Sequence, residues 1–291
     1  MLGTGKVIQI AESEKMTMRI FAAKLLVAGA LGSLISPVHA QESNWRPLDP
    51  ARFGQELIEP WIKVPDGSSG APRQGWLNTA DGFFTREAHL AYERLGADRA
   101  DTDRGLARFN YPFSRRLWAG LEIPFVKSSG GKAAFGDLTL TTQVMLAETR
   151  DLSVNAGVGY ELPTGERRLG DGVLGAIPQV NLWADIGAGV AVRGRLAYAI
   201  RDRNGQDGFI ANLALGQTIT PPEATPLGQF TYYLSANLFQ PDKGATFFSL
   251  TPGIRTRVAG DLFFLAGVEV PVVAARGEFN YRAIGQLVYG F

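Results

Sequence analysis

The chain has 291 residues, a net charge of +1 and no cysteine. The balanced charge gives no electrostatic basis for binding nucleic acid, and the lack of cysteine excludes a fold held by disulfides. Glycine is frequent, at 35 residues, and many glycines lie inside alternating segments, where sharply bent strands tolerate them.

Residues 1–40 have the pattern of a cleavable export signal. Basic residues precede an apolar run from Leu25 to Ile35, and Val38-His39-Ala40 offers small or modest residues at a cleavage site. The run is too short for a stable membrane anchor. We therefore predict a signal peptide cleaved after Ala40, with residues 1–15 as an over-long start. The alternative is a buried N-terminal helix of a cytoplasmic protein.

Residues 41–80 show no regular periodicity. They contain five prolines and a Gly-Ser-Ser-Gly stretch at residues 67–70. Proline and glycine at this density interrupt both helices and strands. We predict an irregular periplasmic extension or plug-like segment, with one short helix near residues 50–62.

Residues 81–291 form a series of segments in which apolar and polar residues alternate. Beyond Ala40 no stretch approaches 18 apolar residues, so no helix is predicted to span a membrane. Period-two alternation predicts strands, and a closed barrel is the other way for a chain to cross lipid. Twelve strands are predicted, at residues 83–93, 104–113, 116–126, 136–147, 151–162, 173–185, 187–200, 208–219, 228–239, 245–258, 261–271 and 279–291.

The connections between these strands differ in length by parity. Those after even-numbered strands are mostly tight, near residues 114–115, 149–150, 186–187 and 259–260, although residues 220–228 make a longer one. Those after odd-numbered strands are longer and more polar. Short periplasmic turns and longer external loops are typical of outer-membrane proteins. The predicted fold class is therefore an all-β transmembrane antiparallel barrel of about twelve strands, and a soluble sandwich is the alternative.

The last predicted strand has one aromatic and apolar face. Tyr281, Leu287, Tyr289 and Phe291 share this face, while Arg282 lies on the other one. The closing aromatic residue resembles the C-terminal signature that the insertion machinery of bacterial outer-membrane proteins recognises. We predict that Tyr289 and Phe291 act as an assembly signal.

The opposite phase of the strands places polar and charged residues inside the barrel. A charge facing lipid costs about 2–4 kcal/mol near the midplane, so these residues must face the lumen or lie at the rims. The inward aromatic residues Trp118, Trp183, Tyr233 and Phe239 could offer stacking surface to a solute. Two interpretations remain open: a set of charges that filters solutes, or a salt-bridge network that fills the barrel. The lumen-lining candidates are Glu87, His89, Glu122, Arg193, Arg195, Arg255, Arg257, Glu269, Arg282, Trp118, Trp183 and Tyr233.

Signals of enzymatic chemistry are weak. His89 is the only histidine outside the predicted signal peptide, and it shares a strand face with Glu87. One histidine and one carboxylate are too few ligands for a metal site. No phosphate-binding glycine loop or cysteine cluster occurs. We therefore predict no catalytic residues, no metal and no cofactor, and keep a membrane-embedded hydrolase as a third hypothesis.

Two short motifs support a closer assignment. Phe135-Gly136-Asp137-Leu138-Thr139-Leu140 and Tyr160-Glu161-Leu162-Pro163-Thr164-Gly165 are followed by a segment from Gly175 to Pro178. Together they resemble the family of outer-membrane proteins named for the phenol-degradation meta pathway, over about residues 77–291. The resemblance implies transport of aromatic or other hydrophobic compounds, and it implies no catalytic residues.

These patterns predict an outer-membrane channel or transporter of a Gram-negative bacterium for a small solute. The expected partners are outer-membrane lipid, the insertion machinery and the solute, with no nucleic acid. The alternative is a structural or partner-docking barrel with residues 41–80 as its docking arm.

Overall fold

The computed structural model describes residues 45–79, 82–97, 101–128, 133–166, 170, 172–203, 205–273 and 279–291. The predicted signal peptide lies outside these residues. A single turn of 3₁₀ helix at Pro50–Arg52 leads into the short helix α1, Phe53–Glu56. No helix in the described part of the chain has the length and apolar character needed to cross a membrane.

The rest of the described chain is built from strands. They are β1 (Glu87–Gly96), β2 (Thr102–Pro112), β3 (Leu117–Ser128), β4 (Ala134–Phe135), β5 (Leu138–Glu148), β6 (Leu152–Leu162), β7 (Gly175–Gly187), β8 (Val190–Arg201), β9 (Gly208–Thr218), β10 (Gly228–Pro241), β11 (Phe247–Ala259), β12 (Leu262–Val273) and β13 (Tyr281–Gly290).

Twelve of these strands close into an antiparallel barrel. Each long strand pairs with its sequence neighbours, β3 pairs with both β2 and β5, and β1 pairs with β13 to complete the ring. The two-residue strand β4 adds to β3. Closure leaves no sheet edge among the long strands, which satisfies the backbone hydrogen bonds. The predicted fold class, an all-β barrel of about twelve strands, is confirmed.

The predicted first strand was wrong at its start. It was placed at residues 83–93, whereas β1 begins at Glu87. Phe83 and Phe84 lie inside the barrel and are 1% and 2% exposed. Apolar residues shortly before a strand can be part of the barrel wall or can pack against the wall from within. The sequence pattern does not distinguish these two positions.

The two faces of the strands differ as the alternation predicts. In β10, Thr231, Tyr233 and Ser235 are buried, while Tyr232 and Leu234 are each 48% exposed on the outer surface. β13 shows the same contrast, with Tyr281, Leu287 and Tyr289 exposed and Ile284 and Val288 buried. The barrel therefore has an apolar exterior that suits lipid and a largely polar interior.

The connections define two ends of the barrel. We call the short-turn end the one formed by residues 113–116, 149–151, 188–189, 219–227 and 260–261. We call the long-loop end the opposite one, formed by residues 97–101, 129–137, 163–174, 202–207, 242–246 and 274–280, parts of which lie outside the described residues. The predicted parity of the connections is confirmed, and the turn predicted at residues 186–187 lies two residues later.

The two motifs that carried the family resemblance pack against each other at the long-loop end. The carboxylate of Asp137 accepts hydrogen bonds from the backbone N–H groups of Gly165 and Gly172, both at 2.8 Å. Leu138 N–H donates to Thr164 Oγ1 at 3.1 Å. A β-carbon on Gly165 would lie 2.7 Å from the Gly136 carbonyl carbon, so the close approach requires glycine. The motifs thus have a structural role as a loop clamp.

Candidate functional site

The described residues 45–79 and 82–86, which together we call the N-terminal segment, lead from the short-turn end into the barrel. At that end, Leu48 N–H donates to Glu148 O at 2.9 Å and Ser69 N–H donates to Asp185 Oδ2 at 2.9 Å. Further along, Trp76 and Leu77 are 6% and 3% exposed within a core cluster that includes inward side chains of the wall. The segment therefore occupies part of the lumen.

Aromatic contacts join the N-terminal segment to the wall. Three of the four inward aromatic residues predicted from the sequence take part, and these three are buried. Trp76 stacks on Tyr233 at 5.1 Å between ring centroids, Phe83 meets Trp183 edge-on at 6.4 Å, and Phe84 stacks on Trp118 at 6.1 Å. Each such pair contributes about 0.5–1.5 kcal/mol beyond its buried area. These three wall aromatics contact the segment and are covered by it.

Two of the predicted lumen arginines also hold the N-terminal segment. Arg193 donates to the carbonyl oxygen of Gln74 at 3.0 Å, and Arg255 donates to that of Gly75 at 3.0 Å. The Arg193 guanidinium also lies 5.4 Å from the Trp76 ring centroid. Both arginines are at most 2% exposed. They donate hydrogen bonds to buried backbone carbonyl groups that have no partner in a helix or strand.

The innermost part of the segment is hydrogen-bonded to four neighbouring strands. Leu77 N–H donates to Tyr233 Oη at 3.1 Å, and Leu77 O accepts from Ser235 Oγ at 3.1 Å. Asn78 Nδ2 donates to Thr251 Oγ1 at 2.8 Å and to Glu269 Oε2 at 3.0 Å, and Asn78 Oδ1 accepts from Arg282 at 2.7 Å. The tip is thus fixed to β10, β11, β12 and β13.

A buried carboxylate anchors the segment at the short-turn end. Glu56 accepts hydrogen bonds from Arg46 at 2.6 Å and from Arg116 Nε at 2.9 Å, and Arg115 lies 3.7 Å away. We call these four residues the Glu56 cluster. Burial raises the pKa of Glu56, but the hydrogen bonds from Arg46 and Arg116 and the nearby positive charge lower it by more. The pKa of Glu56 therefore lies below its usual value.

The lowered pKa predicts that docking of the segment weakens in acid. A carboxylate with a lowered folded-state pKa stabilises docking above its ordinary pKa, and this contribution is lost as the pH falls through the lowered value. Hydrogen exchange at residues 70–79, corrected for intrinsic rates, should therefore accelerate below about pH 4.5. Glu56→Gln should exchange fast at every pH, and Glu59→Gln should keep the transition. An unchanged transition in Glu56→Gln would exclude this role for the cluster.

Above the segment, a cavity of about 420 Å³ occupies the long-loop half of the barrel. Its floor is formed by the segment residues from Gly75 to Thr79. A second cavity of about 240 Å³ shares Thr79, Arg108, Glu122 and Arg195 with it. The charged residues that line the larger cavity are Glu93, Arg104, Arg108, Glu122, Arg195, Arg201, Glu269 and Arg282.

The remaining predicted lumen residues lie in polar networks. His89 Nε2 is 3.3 Å from both Glu87 Oε2 and Asn110 Nδ2, and its Nδ1 contacts Gln286. Arg282 pairs with Glu269 and lies 3.6 Å from Glu93, while Arg257 is 3.5 Å from Asp261. Within the described ranges, no group of three or more side chains of the kinds that ligate metals comes together.

Some site residues were missed by the candidate list drawn from the sequence. Glu122 pairs with Arg108 at 2.7 Å and with Arg104 at 3.3 Å, and both arginines lie on the inward phase of β2. Their phase was the signal that could have identified them. Arg116 has the same inward phase at the start of the third predicted strand, whereas Glu56 carried no such signal because it lies in the irregular segment.

One ion pair crosses an intervening strand. Arg201 on β8 donates to Glu161 on β6 at 2.7 Å and 2.8 Å, although β7 lies between them. The residue of β7 at this level is Gly175, where a β-carbon would lie 2.6 Å from Glu161 Oε2. Glycine therefore makes room for the bidentate pair.

Comparison with known proteins identifies the fold. No family model matches the sequence, and no curated protein matches it. An outer-membrane channel from Pseudomonas putida F1 aligns with a TM-score of 0.58 at 18% identity, covering 75% of this chain and 99% of that one. The KdgM porin aligns at 0.51 with 12% identity, covering 70% and 99%. At these identities the likeness shows a shared barrel fold, and the resemblance to the phenol-degradation family stays a prediction.

Proposed function

We propose that the chain is a channel or transporter for a small solute in the outer membrane of a bacterium. The apolar exterior and closed ring of strands suit a lipid environment. The structural neighbours are described as an outer-membrane channel and a porin, and this likeness supports the proposal by analogy of fold.

The observation that carries the proposal is the cavity of about 420 Å³ beneath the long-loop end, whose lining includes eight charged residues. It reaches down to the N-terminal segment, whose residues fill the space beyond. A barrel with only a structural role would not require an open cavity of this size in its interior. A solute that enters the cavity can pass the barrel only if the segment shifts.

Aromatic solutes, which the family resemblance suggests, would meet only one of the four inward aromatic residues that the sequence indicated, namely Phe239. Trp118, Trp183 and Tyr233 are buried against the segment. The cavity presents Phe239 and Phe247 instead. We assign solute contact to these two residues while the segment is docked.

The proposal is tested by single-channel recording of the refolded barrel in a planar bilayer. Discrete conductance steps are expected, because an aqueous path of this kind admits ions when the segment moves. A folded barrel that stays silent at every voltage, and that takes up no small solute in liposomes, would favour the structural or docking alternative.

The last strand is proposed to control assembly. Tyr289 is 47% exposed on the outer face of β13, opposite Ala88 of β1 and Leu262 of β12, at the seam that closes the ring. Tyr289→Asp, or deletion of Phe291, should leave protease-sensitive protein without heat-modifiable migration in gels. Tyr232→Asp is the matched control, because Tyr232 is 48% exposed but lies far from the seam. Equal folding of Tyr289→Asp and Tyr232→Asp would argue against a terminal signal.

A further inference from the structure

The cavity at the long-loop end has one apolar wall. Ile210 on β9, Phe239 on β10 and Phe247 on β11 are direct cross-strand neighbours, and all three line the cavity. Each is partly exposed. We call these three residues the apolar patch. Inside a barrel whose interior is otherwise largely polar, such a patch offers water-covered apolar surface to a ligand.

The opposite wall carries cations. Arg104 and Arg108 lie on β2, on either side of Leu106, and β2 is six strands away from β9 around the ring. Their side chains are 30% and 33% exposed, whereas those of Glu122 and Glu93 are 21% and 8% exposed. These arginine side chains, which line the cavity, are therefore more exposed than the carboxylate side chains that they pair with.

The same order of exposure recurs at a third ion pair. Arg282 is 19% exposed and its partner Glu269 is 3% exposed. Among the described lining residues there are five arginines and three glutamates. Both the count and the exposure give the solvated face of this cavity a positive character, which is focused by the surrounding wall of low dielectric.

We propose that this cavity binds a small organic anion, namely a carboxylate with an apolar body. The carboxylate lies on Arg104 and Arg108, where planar guanidinium groups match its geometry, and the apolar body lies on the apolar patch. The cavity volume of about 420 Å³ suits a single-ring or short-chain acid. This inference rests on the proposed function, since it names the class of solute that the channel would admit.

The test is equilibrium binding to the refolded barrel with its N-terminal segment in place, measured by isothermal titration calorimetry. Benzoate, benzyl alcohol and benzylammonium share one ring and differ in charge, and acetate has the carboxylate without the ring. Benzoate should bind about tenfold or more tightly than each of the other three, because only benzoate engages both walls.

Substitutions then locate the two halves of the site. Arg104→Gln with Arg108→Gln should weaken benzoate about tenfold and leave benzyl alcohol unchanged. Arg94→Gln is the matched control, because Arg94 is exposed on the outer face of the neighbouring strand. Phe239→Ala with Phe247→Ala should weaken benzoate but not acetate, with Phe209→Ala and Phe264→Ala, both on the outer surface, as controls.

Several results would overturn the inference: equal binding of benzoate and benzyl alcohol, tighter binding of benzylammonium, or benzoate affinity unaffected by either pair of substitutions. If the arginine pair does not fold, the phenylalanine pair still decides the outcome. Binding does not require conduction, so the two proposals can fail separately. A barrel that binds benzoate but never conducts contradicts the channel, and a conducting barrel that does not bind benzoate contradicts the anion site.

Discussion

The double variant Arg193→Gln, Arg255→Gln is expected to conduct in larger and longer-lived steps than the wild-type barrel. Arg193 donates a charge-assisted hydrogen bond to the carbonyl oxygen of Gln74, and Arg255 donates one to the carbonyl oxygen of Gly75. Hydrogen bonds to charged groups contribute about 1.5–3 kcal/mol, so losing both should raise the undocked population by roughly two to four orders of magnitude. Single-channel recording in planar bilayers measures the result.

The matched control for this variant is Arg104→Gln, Arg108→Gln. It removes the same charge from the barrel interior, but these arginines pair with Glu122. Ion selectivity should change in the control, whereas the size of the steps should not. Identical recordings from the two double variants would mean that the conductance follows charge alone and that Arg193 and Arg255 do not hold the segment.

Glu56→Ala is expected to weaken docking of the N-terminal segment strongly. The substitution leaves Arg115 and Arg116, whose side chains are 2% and 0% exposed, without their shared carboxylate. Removing one partner from a buried ion pair costs about 3–5 kcal/mol, because a charge stays buried without compensation. Arg73 is 9% exposed in the docked segment, so trypsin cleavage after it reports undocking. The cleavage rate should rise by about two to four orders of magnitude.

Glu59→Ala is the control for Glu56→Ala. Glu59 also pairs with Arg46, at 2.8 Å, but its side chain is 29% exposed. A solvent-exposed ion pair contributes about 0–1 kcal/mol, so cleavage after Arg73 should change less than about tenfold. Similar rates in the two variants would show that burial of the Glu56 cluster does not stabilise docking.

The wall of the barrel could be predicted from the sequence because lipid imposes a strict pattern on it. A strand with one face in lipid and one in water must alternate, and a register error of one residue would turn charges such as Arg193 outward. The strand number, the faces and the parity of the connections all follow from this constraint. The start of β1 was not predicted correctly, because Phe83 and Phe84 are as apolar as wall residues but do not belong to the wall.

The contacts inside the barrel were less predictable, because the N-terminal segment that packs there has no periodic pattern. The phase of Trp183 and Tyr233 places them inside, but nothing in the sequence pairs them with Phe83 and Trp76 of an irregular segment. Gly82 shows the same limit. A β-carbon there would lie 2.4 Å from the Leu182 carbonyl carbon, a contact that depends on the three-dimensional structure.

The four arginines at 193, 195, 255 and 257 look equivalent in sequence, yet Arg193 and Arg255 bind segment carbonyls and Arg257 pairs with Asp261.

The central claim is that solutes pass through this barrel and that the N-terminal segment controls the passage. A reversible crosslink tests it most directly, because the chain has no cysteine of its own. Asn78 Nδ2 and Thr251 Oγ1 are 2.8 Å apart, which puts Asn78→Cys and Thr251→Cys within reach of a short bis-methanethiosulfonate linker, which reductant removes.

In the Arg193→Gln, Arg255→Gln background, the reduced barrel should conduct in large steps. The linker should suppress these steps, and reductant should restore them, while each single-cysteine variant should respond to neither treatment. Large steps that persist with the crosslink in place, or silence both with and without the crosslink, would contradict this control by the segment.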